Sequence, residues 1–179
     1  MLKIFKKHAG FTLIELLIVI ALLGALAVGL LAALDPFEQL KKGTDTGVRN
    51  TVSEFQGAVI RYYAIKNKMP WCNADDCSTL YDSFDLTGGS ASTLDTLPTV
   101  ISNITDTGEL KVDFSTLAGA VTLGKISVFG TDADVKVCYE PTSKSFTEDP
   151  NTQFDPTTGI EGCTQDPATA GSECLWCVQ

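Results

Sequence analysis

One long apolar stretch near the start of this 179-residue chain dictates the surroundings in which the rest can fold. From Phe11 to Leu34, 20 of 24 residues are apolar, and the interruptions are Thr12, Glu15, Gly24 and Gly29. As a helix rising about 1.5 Å per residue, the stretch reaches roughly 36 Å, enough to cross a hydrocarbon core of about 30 Å. Met1–Gly10 ahead of it carries Lys3, Lys6 and Lys7 and no acid. Basic residues flanking a span favour the cytoplasmic side, which places everything beyond Leu34 outside the cytoplasm.

Three readings of this segment compete. It can be an uncleaved signal anchor, a secretory signal cut after Ala25-Leu26-Ala27, or a leader defined by the order of its residues. Glu15 fits the first two poorly, because a carboxylate within a span costs up to about 2.5–3.5 kcal/mol, less near an end. An apolar run continuing to Leu34 is also long for a secretory signal. The third reading rests on Lys6-Lys7-His8-Ala9-Gly10-Phe11-Thr12-Leu13-Ile14-Glu15. This run resembles the leader of type IV pilins and type II secretion pseudopilins. The resemblance implies a cut by a prepilin peptidase between Gly10 and Phe11, methylation of Phe11, and retention of the apolar helix in the membrane. It also implies that Glu15 pairs with the terminal amine of a neighbouring subunit during filament assembly. A pair within one chain or with lipid headgroups is the alternative for Glu15. Either way, carboxylate and amine are each costly to bury alone and tolerable together.

Beyond the span, Asp35-Pro36 predicts a kink, since Pro removes a backbone donor and disfavours helix in the residue before it. Phe37, Leu40, Val48, Val52, Phe55, Val59 and Tyr62 then recur at helical spacing, with Asp45, Arg49, Glu54 and Lys66 elsewhere on the helix and Met69-Pro70 closing it. Residues 12 to 67 are expected to form one bent helix, about 80 Å long at 1.5 Å per residue. Gly24 and Gly29 have two readings: close packing of helices through small residues, or, with Pro36, local unwinding during extrusion, as the family suggests.

From Met69 onward the material changes. Of the chain's 22 acids, 17 lie here with only Lys111, Lys125, Lys136 and Lys144, although the whole chain is 44% hydrophobic with net charge −9. Such an outer region argues against a nucleic-acid groove, which needs clustered Lys and Arg. Residues 73–93 read as a surface loop, and Leu97, Val100, Ile101 and Ile104 after Thr96 suggest a short helix. Alternation predicts strands at Leu110–Phe114, Ile126–Val128 and Val135–Tyr139, and a turn through Pro141–Lys144 leads to a further strand at Ser145-Phe146. Residues 147–179 read as loop. The expected sum is an α+β, pilin-like fold: a long bent N-terminal helix, transmembrane in its first half, packed on a small antiparallel sheet, with a disulfide-fastened C-terminal loop region. The boundaries are 1–10 for the leader, 11–34 for the span, 35–68 for the amphipathic half-helix and 69–179 for an extracytoplasmic head.

Six cysteines, Cys72, Cys77, Cys138, Cys163, Cys174 and Cys177, in an extracytoplasmic region read as three disulfides with 15 possible connectivities. Cys72 with Cys77, across a short polar loop, is the first candidate, while any of the last three can reach Cys138. Cys174-Leu175-Trp176-Cys177 has redox spacing but no following helix to lower a thiol pKa. Cys72, Cys77, Cys174 and Cys177 could together hold zinc, which suits a reducing compartment better than this one. Asp149, Asn151, Asp155, Thr157 and Glu161 resemble a calcium loop at alternate positions, with Phe154 where a glycine is expected; a solvated acidic loop is the simpler reading, and no cofactor is expected.

Removing residues 1–10 removes His8, the one histidine, so Ser-His-Asp and Cys-His pairs are excluded from the mature chain. No glycine-rich phosphate motif is present. The expectation is a non-enzymatic subunit of a helical filament, partnered by prepilin peptidase and an assembly machinery in the inner membrane, with no direct nucleic-acid partner. Two rivals remain: a pseudopilin of a periplasmic secretion piston, and a membrane-anchored domain that binds calcium or another ligand.

Overall fold

The computed structural model describes residues 10–33, 35–86, 91–164 and 174–178; Lys3, Lys6, Lys7 and His8 of the leader lie outside the described residues. The chain divides into Met1–Gln39 and Leu40–Gln179.

In the first unit, α1 (Leu13–Ala33) is apolar on every side. Its stretch Leu13–Leu31 is long and apolar enough to cross a membrane, and none of it is buried within the chain. The helix runs through Gly24 and Gly29 without a break. The interruption comes at Asp35, and α2 (Pro36–Lys66) follows. Asp35 Oδ1 accepts the Phe37 and Glu38 N–H groups at 3.2 and 3.3 Å, and its carbonyl accepts Gln39 N–H. Asp35 is thus an N-cap with Pro at the first helical position, where the missing N–H costs nothing. Glycine weakens a helix but keeps its donor, so the break falls at Asp35-Pro36 and at neither glycine.

In the second unit the rest of α2 lays one stripe, Val48, Val52, Phe55, Ala58, Val59 and Tyr62, into the main core. Phe37 and Leu40 match the stripe by spacing but are exposed, whereas Asp45, expected off the stripe, is buried. Beyond α2, Phe84 from the segment expected as a surface loop enters the core beside Trp71, which precedes that segment, and their rings stack 4.5 Å apart. Trp71 Nε1 donates to the Thr131 carbonyl at 2.9 Å. Gly130 is required beside them, since a Cβ there would lie 2.5 Å from the Trp71 ring. Residues 87–90 of that loop lie outside the described residues.

The head continues through β1 (Ser92–Thr93), a 3₁₀ turn (Leu94–Thr96), α3 (Pro98–Asp106), α4 (Phe114–Ala118), α5 (Ala120–Leu123), β2 (Ile126–Gly130), β3 (Val135–Tyr139), α6 (Lys144–Thr147), β4 (Thr152–Phe154) and β5 (Leu175–Val178). The five strands make one antiparallel sheet in the order β1-β2-β3-β5-β4. Side chains alternate across it. Ile126, Val128, Val135, Val137, Tyr139 and Trp176 face the core shared with α2 and α3, while Phe129, Cys138, Phe154, Leu175 and Cys177 form a second cluster.

Three sequence expectations need correction. Leu110–Phe114 is no strand: Leu110 and Phe114 are buried four residues apart, Val112 is exposed, and Phe114 N–H closes a turn onto the Lys111 carbonyl. Three alternating residues cannot separate a period of two from one of four. Ser145-Phe146 is also no strand, since Phe146 and Thr147 N–H both bond the Ser143 carbonyl to start α6. The tail read as loop supplies β4 and β5; β5 is buried on both faces, so it shows an apolar run with no alternation. Residues 165–173 of that tail lie outside the described residues.

Candidate functional site

Gly10 and Phe11, where the resemblance puts cleavage and methylation, stand exposed ahead of α1, Phe11 at 85%. Directly after them Thr12 and Glu15 cap the helix reciprocally. Thr12 N–H and Oγ1–H donate to Glu15 Oε2 at 2.8 and 2.7 Å, and Glu15 N–H donates to Thr12 Oγ1 at 3.3 Å. This is a capping box, in which two orphan helix-end donors are satisfied by each other's side chains. Thr-x-x-Glu spacing is its sequence signal, and reading Glu15 as a bare charge passes over it. Gly24 and Gly29 lie further along α1 with nothing within 4 Å of where a Cβ would be. Within α1, then, Glu15 is the one charged residue, at the head of an otherwise apolar helix.

The cysteines form three disulfides, Cys72–Cys77, Cys138–Cys177 and Cys163–Cys174, and no described cysteine is free. Cys138 and Cys177 stand directly opposite each other on β3 and β5. Cys174 and Cys177 bracket Leu175-Trp176 on an extended strand and bond to different partners, so they act neither as a redox pair nor as joint thiolate ligands here.

The acidic segment is taken up by its own turns. Asp149 accepts Asn151 N–H at 2.9 Å and faces Arg49 Nη1 at 3.4 Å. Asp155 Oδ1 accepts the N–H groups of Thr158 and Thr157 at 2.8 and 2.9 Å, and these bonds hold its carboxyl below the usual carboxylate range. Glu161 pairs by backbone with Phe154 at the β4 edge. Among the described residues no three His, Cys, Asp or Glu side chains gather into a metal-binding group.

Sequence reading missed a polar knot under the C-terminal half of the head. Asp45, 2% exposed, accepts Thr142 N–H, Ser143 N–H and the Thr142 hydroxyl at 3.0, 2.7 and 2.8 Å. One turn on, the Arg49 guanidinium stacks over Trp176 and Phe146 at 4.2 and 4.9 Å from their ring centroids. Asp45 falls three residues before Val48, on the buried stripe, and that spacing was the available signal. Tyr139, paired across strands with Trp176, lies close by; burial first, then the Asp45 charge, pushes its hydroxyl well above the ordinary tyrosine value.

A basic leader joined to an apolar helix long enough to cross a membrane fits a single-pass, membrane-anchored protein. Residues 5–31 match the model of the prokaryotic N-terminal methylation motif, the prepilin leader of type IV pilins and pseudopilins. That motif supports a pilin-like or pseudopilin subunit processed by prepilin peptidase, and with the apolar helix it fits a single-pass, membrane-anchored protein. No curated protein and no solved structure matches the chain.

Proposed function

We propose that the chain is a structural subunit of a type IV pilus-like filament. Prepilin peptidase cuts between Gly10 and Phe11, Phe11 is methylated, and the subunit leaves the inner membrane for a helical assembly held by α1. The methylation motif over residues 5–31, running straight into a helix apolar on every side, carries this reading. The cut leaves the Phe11–Thr12 peptide bond whole, so the Thr12–Glu15 box survives it. Glu15 is then a carboxylate one turn from a new amine, a pair that tolerates burial together where neither tolerates it alone. The size and the disulfide-fastened head favour a surface pilus over a secretion piston.

Coexpression with a prepilin peptidase tests the first step. The expected product begins at N-methylated Phe11 by mass analysis, and a retained Met1 or a terminus at Val28 refutes the reading. Glu15→Ala is expected to be processed normally and to be missing from filaments seen by electron microscopy; normal filaments built from that variant would remove the role given to Glu15.

A further inference from the structure

The disulfides of the head are nested: the Cys163–Cys174 bond lies inside the loop closed by Cys138–Cys177. In a head exported from its N-terminal side, cysteines emerge in the order 72, 77, 138, 163, 174, 177. Bonding each cysteine to the next one available gives Cys72–Cys77 correctly. It then gives Cys138–Cys163 and Cys174–Cys177, both wrong.

The wrong pair is incompatible with the sheet. Cys174 stands immediately before β5 and Cys177 lies within it, so three residues of extended chain set their Cα atoms about 10 Å apart, while a disulfide spans at most about 6.8 Å between Cα atoms. A Cys174–Cys177 bond therefore forbids β5. Without β5, Trp176 loses its place opposite Tyr139 and under Arg49, and β4 loses the strand it pairs with. In the native head, Cys138 and Cys174 are fully buried and Cys177 is 6% exposed, so correction must precede closure of the sheet.

We propose that the head requires a thiol–disulfide isomerase, a partner whose reactive thiolate converts the sequential bridges to the nested ones before β5 docks. The sequential bonds first form by exchange with a disulfide-bearing oxidase, which takes up the two electrons and two protons of each thiol pair. The isomerase thiolate then attacks the Cys163 sulfur, forming a mixed disulfide and releasing the Cys138 thiolate. Cys138 attacks the Cys177 sulfur, closing Cys138–Cys177 and releasing the Cys174 thiolate. Cys174 attacks Cys163 in the mixed disulfide, closing Cys163–Cys174 and regenerating the isomerase thiolate. The three exchanges transfer no net electrons.

The test exports the full chain in a bacterial host with and without its extracytoplasmic disulfide isomerase, oxidase intact. Thiols are trapped by alkylation, and bridges are mapped by mass spectrometry of unreduced peptides. Without the isomerase, Cys138–Cys163 and Cys174–Cys177 should accumulate and the nested pattern should fall about tenfold, since uncatalysed exchange is slow. Equal yields of the nested pattern in both hosts overturn the proposal. Cys163→Ser with Cys174→Ser makes Cys138 and Cys177 consecutive, so their bond should form in either host; Cys138→Ser with Cys177→Ser gives the same readout at Cys163–Cys174 should the first variant not fold. Persistent isomerase dependence in both variants also overturns the proposal. The proposal rests on export of the head: six free thiols would overturn it together with that topology, whereas nested bonds formed without isomerase would leave the topology standing.

Discussion

Replacing Asp45 with Ala tests whether the polar knot holds the C-terminal half of the head. The carboxylate is 2% exposed and accepts three donors. Two of these, the Thr142 N–H and hydroxyl, belong to an exposed residue and regain water when the carboxylate goes. The third, Ser143 N–H, belongs to a residue 1% exposed and is left without an acceptor. An orphaned buried N–H costs about 1–3 kcal/mol, and hydrogen bonds to a charged group contribute about 1.5–3 kcal/mol each, partly offset here by water and by the carboxylate no longer needing desolvation. The expected loss is about 2–4 kcal/mol, or roughly 5–15 °C in Tm for a unit of this size. Asp45→Asn keeps one acceptor for Ser143 but points an N–H₂ group at Thr142, so it should fall between Ala and wild type. The assay is thermal unfolding of the full chain in detergent micelles, followed by tryptophan emission, with disulfide mapping to confirm that all three bridges persist. Trp176 sits under Arg49, one turn from Asp45 on α2, and reports on this region. An Asp45→Ala variant within about 0.5 kcal/mol of wild type, the range of ordinary surface substitutions, would refute the reasoning.

Other outcomes follow from packing and titration. Gly130→Ala places a Cβ 2.5 Å from the Trp71 ring and 3.1 Å from Phe84, and should cost about 1–3 kcal/mol in the same melt. In an alkaline absorbance titration, Tyr139 and Tyr62 should ionise above the ordinary tyrosine range, because burial favours the neutral hydroxyl in both. Their contribution to stability is complete below the unfolded tyrosine pKa of about 10 and is lost as pH rises through the folded values. Asp155 and Asp76 run the other way: hydrogen bonds from Thr158 and Thr157, and from Ser78, lower their pKa values. Their contribution is present above the unfolded carboxylate pKa of about 3.9 and is lost as pH falls through the folded values, so their NMR titrations should be displaced to lower pH.

What the residues disclosed depended on how many of them carried each signal. The apolar run, the amphipathic stripe of α2, and the alternation in β2 and β3 each recur over enough positions for one period to win, and all four elements formed where expected. Three residues at 110–114 and two at 145–146 fit more than one period, and local turn hydrogen bonds decided both. β5 was hidden for a different reason: a strand buried on both faces shows no alternation, and its pairing partner β3 is far away in sequence. Asp45 was legible as a position but not as a role, and Glu15 without its cap partner. A charge on a buried stripe looks like an error in the pattern until its acceptors meet Thr142 and Ser143, and the capping bonds between Glu15 and Thr12 come into view only with the helix end itself.

The outer bridge of the nested pair also sets how far the head can be drawn out by force. Cys138 and Cys177 are 39 residues apart along the chain, a contour of about 130 Å when fully extended. With the bond closed, that length is withheld as a ring, and a pull applied outside it can shear β3 from β2 but cannot separate β3 from β5. The sheet can thus part at its β2–β3 seam while a covalent bond holds its β3–β5 seam, and reducing that bond would turn a short tether into a long one.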